Sequence, residues 1–111
     1  MSRDVEVEIT YLPTEHGGRS SPAFNGYRPQ FYYAGNDWDA QHEYPDVERV
    51  APGESARAFL NFLSPAQHVG RVVAGMPFLI REGNRVVGYG RVRRVVDLEQ
   101  SAARDDQPRS E

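Results

Sequence analysis

The strongest constraint on the fold is a strict alternation of side-chain character over residues 4–12. Val5, Val7, Ile9 and Tyr11 alternate with acidic and hydroxyl side chains. Successive side chains of a β-strand point to opposite faces, so a period of two predicts a strand with one buried and one solvated face. We therefore expect the chain to begin with a half-buried strand.

A second strand is predicted within the segment Gly26–Tyr33, which reads Gly-Tyr-Arg-Pro-Gln-Phe-Tyr-Tyr. Pro29 fixes its own backbone angle, favours an extended Arg28 and lacks an amide donor, which suits the first position of a strand. Phe31 then faces the predicted core, whereas Gln30 faces the opposite side. Arg28 and Gln30 are therefore candidate recognition residues, and pairing of Arg28 with a nearby carboxylate is the plainer interpretation.

Turn signals divide the rest of the chain into further short strands. Pro52-Gly53 precedes an alternating segment at residues 56–63, and Gly83-Asn84 is typical of a tight hairpin turn between segments 76–81 and 85–98. Short strands with almost no helix predict an all-β barrel or sandwich over residues 1–99. Residues 100–111 are polar without periodicity, which predicts a disordered tail. The side chains predicted to face the core are those of Val5, Val7, Ile9, Phe31, Tyr33, Leu60, Phe62, Phe78, Ile80 and Val87.

Composition excludes several classes of function. The chain has 111 residues, the size of one domain, with no cysteine and with arginine for all 13 of its basic residues. The lack of cysteine excludes disulfides and thiolate sites, and the lack of lysine excludes an ordinary P-loop nucleotide site. The N-terminal sequence lacks the apolar segment of a signal peptide, and no apolar run approaches a membrane span. We therefore expect a cytoplasmic protein.

No residue pattern indicates catalysis or a bound cofactor. His16, His42 and His68 lack the spacing of a zinc site and are interpreted as surface residues. The acidic side chains around Trp38 lack a calcium-loop pattern, and no serine nucleophile motif is present. We expect no enzymatic activity, no metal and no cofactor.

Basic charge is concentrated in the last predicted hairpin, at Arg81, Arg85, Arg91, Arg93 and Arg94. These arginines could form a phosphate-contacting edge. The favoured interpretation is cross-strand pairing with acidic side chains on a solvated face. The candidate acidic partners are Glu6, Glu8 and Glu82.

Three motifs carry a resemblance to a known family: Gly17-Gly18-Arg19, Gly26-Tyr-Arg-Pro-Gln-Phe-Tyr32 and Arg81-Glu-Gly-Asn-Arg-Val-Val-Gly88. In order and spacing they resemble the third, C-terminal domain of bacterial elongation factor Tu, and the resemblance extends from about Val5 to Val96. It implies a small closed six-stranded antiparallel β-barrel. In elongation factor Tu this barrel contacts the T stem of aminoacyl-tRNA and packs against the GTPase domain and the exchange factor.

Residue by residue, the resemblance implies tRNA-side positions at Arg19, Gln30, Glu82 and Gly83. Neighbouring positions depart from the family pattern, because basic residues of the family are replaced and acidic residues are added after the second strand. The GTPase domain and the second barrel have no counterpart in this sequence, so we do not expect a working elongation factor.

Two functions remain open, and both use the same predicted binding residues, Arg19, Arg28, Gln30, Arg81, Glu82 and Gly83. The first is a non-enzymatic protein-interaction module, with the translation machinery among its candidate partners. The net charge of −3 and the replaced basic positions favour it, because both weaken attraction to RNA. The alternative is a module that binds tRNA or a similar A-form stem through shape, phosphate and 2′-hydroxyl contacts. Neither function requires a nucleotide or a membrane.

Overall fold

The alternating N-terminal segment forms strand β1 (Val5–Tyr11), and its apolar side chains are all buried. The computed structural model describes residues 2–105. Within them, the elements after β1 are the strands β2 (Ala23–Phe24), β3 (Gln30–Tyr33), β4 (Asn36–Glu43), β5 (Arg49–Val50), β6 (Ser55–Phe62), β7 (Pro77–Glu82) and β8 (Arg85–Val95), and the helix α1 (Leu98–Asp105). Six strands close into an antiparallel barrel in the order β1-β6-β4-β3-β7-β8. The predicted all-β class and the six-stranded barrel are confirmed.

Strand β1 closes the barrel because it pairs on both sides. Val7 lies opposite Ala58 of β6 on one side and opposite Val92 of β8 on the other. A closed sheet leaves no unpaired edge within the barrel. Strands β2 and β5 form a separate two-stranded sheet. No helix within residues 2–105 is long and apolar enough to cross a membrane.

The barrel interior is filled by the side chains that the sequence predicts, since all ten predicted core residues are buried. Phe31 lies near the centre of an aromatic group: its ring centroid is 4.3 Å from that of Phe78 and 5.1 Å from that of Phe62. Gly90 of β8 leaves room for this group. A Cβ there would stand 2.5 Å from Phe78 Cζ and 2.7 Å from the Glu8 carbonyl oxygen, so β8 needs glycine where it passes the ring.

The prediction of surface histidines is wrong for His42. It follows Ala40 on the inner face of β4 and is almost fully buried. Its Nδ1 lies 3.4 Å from Tyr11 Oη and 3.2 Å from Tyr44 Oη, and the two hydroxyls are 2.7 Å apart. Burial lowers the pKa of His42 to about 3. The neutral imidazole is thus part of a buried polar network.

The same prediction is wrong for His68, which lies in the loop between β6 and β7 and is fully buried. Its Nδ1 is 2.7 Å from Tyr33 Oη. Its ring centroid lies 4.3 Å from that of Phe62 and 4.8 Å from that of Trp38. Burial, followed by the positive charge of Arg71, lowers the pKa of His68 to about 4. The histidine therefore holds this loop against the aromatic core in its neutral form.

The predicted disordered tail is wrong for residues 100–105, which belong to helix α1. Leu98 and Ala102 lie one turn apart on the buried face of α1. The Ser101 hydroxyl donates to the buried carboxylate of Asp4, which also accepts the backbone amide of Phe62 at 2.8 Å. A short helix is stabilised mainly by such packing rather than by its own propensity. Residues 106–111 of the predicted tail lie outside the described residues.

Replacing Leu98 with alanine should lower the free energy of unfolding by about 2–3 kcal/mol, because a buried leucine loses its apolar contacts. The matched control is Glu99→Ala, which changes the adjacent exposed residue of the same helix. Urea denaturation of both variants measures the difference. Equal stabilities for the two variants would contradict the docking of α1.

Candidate functional site

The predicted residues Arg19 and Glu82 are in contact, although 63 positions separate them in the chain. Arg19 follows Gly18, where a Cβ would stand 2.0 Å from the Leu12 carbonyl oxygen. Glycine therefore allows the loop carrying Arg19 to lie against the end of β1. The Arg19 guanidinium donates to the Glu82 carboxylate and lies 4.2 Å from the centroid of the Tyr27 ring. The Tyr27 hydroxyl donates to the same carboxylate.

These contacts neutralise Arg19 within the protein. Its side chain is only 18% exposed and also donates to the carbonyl oxygens of Ser21 and Pro22. Burial alone would lower the pKa of the guanidinium, but its contacts with Tyr27 and Glu82 raise that pKa by more. A phosphate group would have to displace Glu82 in order to pair with this arginine.

Gln30 and Arg81 form a second group, since they lie opposite each other on β3 and β7. Arg81 Nη1 is 3.4 Å from Asp37 Oδ2, and the Arg81 guanidinium lies 4.8 Å from the centroid of the Tyr32 ring. Within the described part of the chain, Gln30 Oε1 and Arg81 Nε are buried without a hydrogen-bond partner. Asp37, which follows the second predicted strand, thus neutralises Arg81.

The two remaining predicted residues are exposed and lie outside these pairs. Gly83 occupies the β7–β8 turn with φ of 62°, which a glycine adopts without strain. Arg28 lies in the loop before β3, and its side chain forms no ion pair or hydrogen bond with residues 2–105. The structure thus places Gly83 next to the Arg19–Glu82 pair, and it gives Arg28 no partner among the predicted residues.

The pairing interpretation for the last hairpin is confirmed for three arginines, the first being Arg85, whose Nη2 lies 3.8 Å from Glu82 Oε1. The Arg93 guanidinium pairs with Glu8, and that of Arg94 pairs with Glu6. The contact with Arg94, opposed by burial, lowers the pKa of Glu6 overall. Arg91 differs, because its Nη1 donates to the Gly75 carbonyl oxygen at 2.6 Å.

Sequence reasoning missed a groove on the outside of the barrel, which we name the β7–β8 groove. It has a volume of about 1110 Å³ and lies along the outer faces of β7 and β8, beside the loop that precedes β7. Leu79 and Tyr89 are cross-strand partners in its wall and are 36% and 48% exposed. Met76 and Pro77 extend this apolar surface. In the predicted strand, Leu79 alternates with the core residues Phe78 and Ile80 and therefore points outward. This outward apolar side chain was the signal in the sequence for the groove.

Residues 2–105 contain no group of three or more histidine, aspartate and glutamate side chains that could hold a metal ion. The buried histidines contact tyrosine and other aromatic rings, so their surroundings are those of structural residues.

Arg19→Ala should lower the free energy of unfolding by about 1–2 kcal/mol, because it removes a partly buried charged hydrogen bond and a cation–π contact. Arg28→Ala is the matched control, and its effect should stay within about 0.5 kcal/mol, as is usual for an exposed side chain. Chemical denaturation provides both values. Indistinguishable effects would mean that Arg19 does not contribute to the fold in this way.

The chain matches a known protein family. A family model described as Elongation factor Tu C-terminal domain matches residues 1–96 of the chain. The match covers the entire barrel to the end of β8 and stops just before α1.

Proposed function

The chain belongs to the elongation factor Tu C-terminal domain family. We propose that it is a cytoplasmic, non-enzymatic protein-interaction module. The family domain is a β-barrel of a translation factor, so the translation machinery is the first place to look for a partner. The interaction surface that we propose is the β7–β8 groove.

One observation carries this proposal: Leu79 and Tyr89 present adjacent, exposed apolar surface on a rigid barrel wall. Contiguous apolar surface on the outside of a small protein marks an interaction site more often than scattered exposed residues do. Tyrosine is also enriched among the residues that contribute most to binding at protein interfaces.

RNA binding is the second candidate, because the structure brings Arg19, Glu82 and Gly83 together at one end of the barrel. These are positions that resemble the tRNA side of the family. Against this function, Arg19 and Arg81 are already paired with Glu82 and Asp37. A phosphate gains less from a cation that must first give up a carboxylate partner.

The proposed function is tested by quantitative affinity purification from extracts of the source organism, with and without ribonuclease. The double variant Leu79→Ser/Tyr89→Ser should lose a protein that the wild type retains, and ribonuclease should not release that protein. The control is Phe24→Ser/Val47→Ser, which removes apolar side chains that are 53% and 45% exposed. If no retained protein depends on Leu79 and Tyr89, the proposal is wrong.

A further inference from the structure

We propose that the β7–β8 groove binds an acidic peptide segment that carries an apolar side chain beside negatively charged residues. This inference rests on the proposed function and adds the chemistry of the partner. The groove has an apolar floor, formed by Leu79, Tyr89, Met76 and Pro77, and it also carries unpaired positive charge. The protein as a whole has a net charge of −3.

The charge of the groove is opposite in sign to that of the whole chain. The charged residues in its lining are three arginines and one glutamate, which leaves a formal excess of two positive charges. The glutamate, Glu8, is paired with Arg93. Within residues 2–105, neither Arg71 nor Arg91 lies within ion-pair distance of a carboxylate. Arginine presents a planar set of donors that matches a carboxylate, so Arg71 can receive an acidic side chain. Arg91 can do so through the donors that its hydrogen bond to the Gly75 carbonyl oxygen leaves unused.

The apolar floor and these two cations line the same groove. Arg91 is two residues beyond Tyr89 on the same outer face of β8, and Arg71 lies in the loop that precedes β7. Leu79 is the cross-strand neighbour of Tyr89. A ligand that fits this arrangement has one apolar side chain over Leu79 and Tyr89, with carboxylates reaching toward the arginines.

The groove suits a peptide better than a small molecule because its walls are open. Leu79, Tyr89, Arg71 and Arg91 are all exposed to solvent, whereas a small-molecule site normally buries most of its ligand. The barrel has no free strand edge, so a peptide cannot be added to the sheet and must bind through its side chains.

Single-stranded nucleic acid is the competing occupant, because it also carries negative charge. A nucleic-acid surface stacks successive bases on successive aromatic rings. Here Tyr33 is buried, and one face of the Tyr32 ring is covered by Arg81. Among the aromatic residues that line the groove, Tyr89 is the one whose ring is well exposed, and Leu79 and Met76 lie around it. This floor favours an aliphatic or aromatic amino-acid side chain over a row of bases.

The test is a selection of short random peptides displayed on phage, with the wild-type protein as bait and Leu79→Ser/Tyr89→Ser as the counter-selection bait. We expect the enriched peptides to carry an apolar residue flanked by aspartate or glutamate. Their binding is then measured by fluorescence anisotropy, and it should weaken as salt is added because exposed charge pairs are screened. Labelled oligouridine is titrated in parallel.

Charge-reversal variants locate the binding. Arg71→Glu should weaken the selected peptides about tenfold, because like charges then face each other across the interface. Arg49→Glu, an exposed arginine of β5 outside the groove, should change binding by less than about twofold. Circular dichroism checks that each variant is folded.

Peptides without an acidic bias, or equal effects of Arg71→Glu and Arg49→Glu, would overturn the inference. Oligouridine binding that exceeds that of every selected peptide and is lost in Arg71→Glu would also overturn it, in favour of nucleic acid. The affinity purification distinguishes these outcomes from failure of the proposed function. If the affinity purification still yields a protein that depends on Leu79 and Tyr89, only the acidic chemistry of the partner is wrong.

Discussion

Phe78→Ala should lower the free energy of unfolding by about 3–5 kcal/mol, the usual cost of removing a large aromatic side chain from a core. The Phe78 ring stacks on that of Phe31 with 24° between the two planes, and Gly90 faces it from the next strand. A strand backbone on one side and a packed ring on the other leave the site little freedom to collapse. The lost volume should therefore remain largely a cavity.

The adjacent residue provides the control for this measurement. Leu79 points outward from β7 and is partly exposed, so Leu79→Ala should cost less than about 1 kcal/mol. Urea denaturation of both variants gives the comparison. A loss well below 1 kcal/mol for Phe78→Ala would show that the ring is not a core residue.

The stability of the barrel should fall by about 2 kcal/mol between pH 6 and pH 5. Burial lowers the pKa of His42 to about 3 and that of His68 to about 4, below the ordinary value of 6.5. The unfolded chain therefore takes up protons in this window and the folded chain does not. Each histidine contributes up to about 1.4 kcal/mol per pH unit once the unfolded form is protonated. This stability is fully present above pH 6.5 and is lost as the pH falls.

Urea denaturation at closely spaced pH values measures this slope. The window from pH 6 to pH 5 is chosen because most unfolded-state carboxylates are still ionised there. The variant His68→Leu, which has one fewer buried histidine, should show about half the slope. A wild-type stability that is constant from pH 6 to pH 5 would mean that both histidines accept protons in the folded state.

Much of the fold could be predicted because its signals are local. The alternation in β1 and the proline before β3 each specify a strand without reference to the rest of the chain. The burial of His42 had the same kind of signal, since every second residue is buried at Ala40 and His42 of β4 and at Tyr44 just after it. Because histidine is polar, the sequence pattern did not indicate that position 42 is buried.

Helix α1 and the burial of His68 could not be predicted, because they depend on distant contacts. Ser101 is held by Asp4, which lies 97 positions earlier in the chain. His68 is held by Tyr33 of β3. Neither the polar composition near residue 100 nor the loop around residue 68 contains a periodic signal that reveals these partners.

The candidate site was predicted only in part. The family resemblance grouped Arg19 with Glu82, and the structure shows that the two form an ion pair. The resemblance could not show that Asp37 pairs with Arg81, because none of its three motifs contains Asp37. The β7–β8 groove arises from two strands and a loop that meet only in the folded barrel.

Arg19 and Arg81 form intramolecular ion pairs in this chain, and we propose that the barrel for this reason binds protein rather than RNA. A tRNA titration at several salt concentrations, with wild type and Arg19→Ala, tests it most directly. We expect no saturable binding even at low salt, where electrostatic attraction is strongest. Saturable binding with a log–log salt slope of roughly −2, flattened by about one unit in Arg19→Ala, would contradict the claim, because it would show two phosphate contacts that include Arg19.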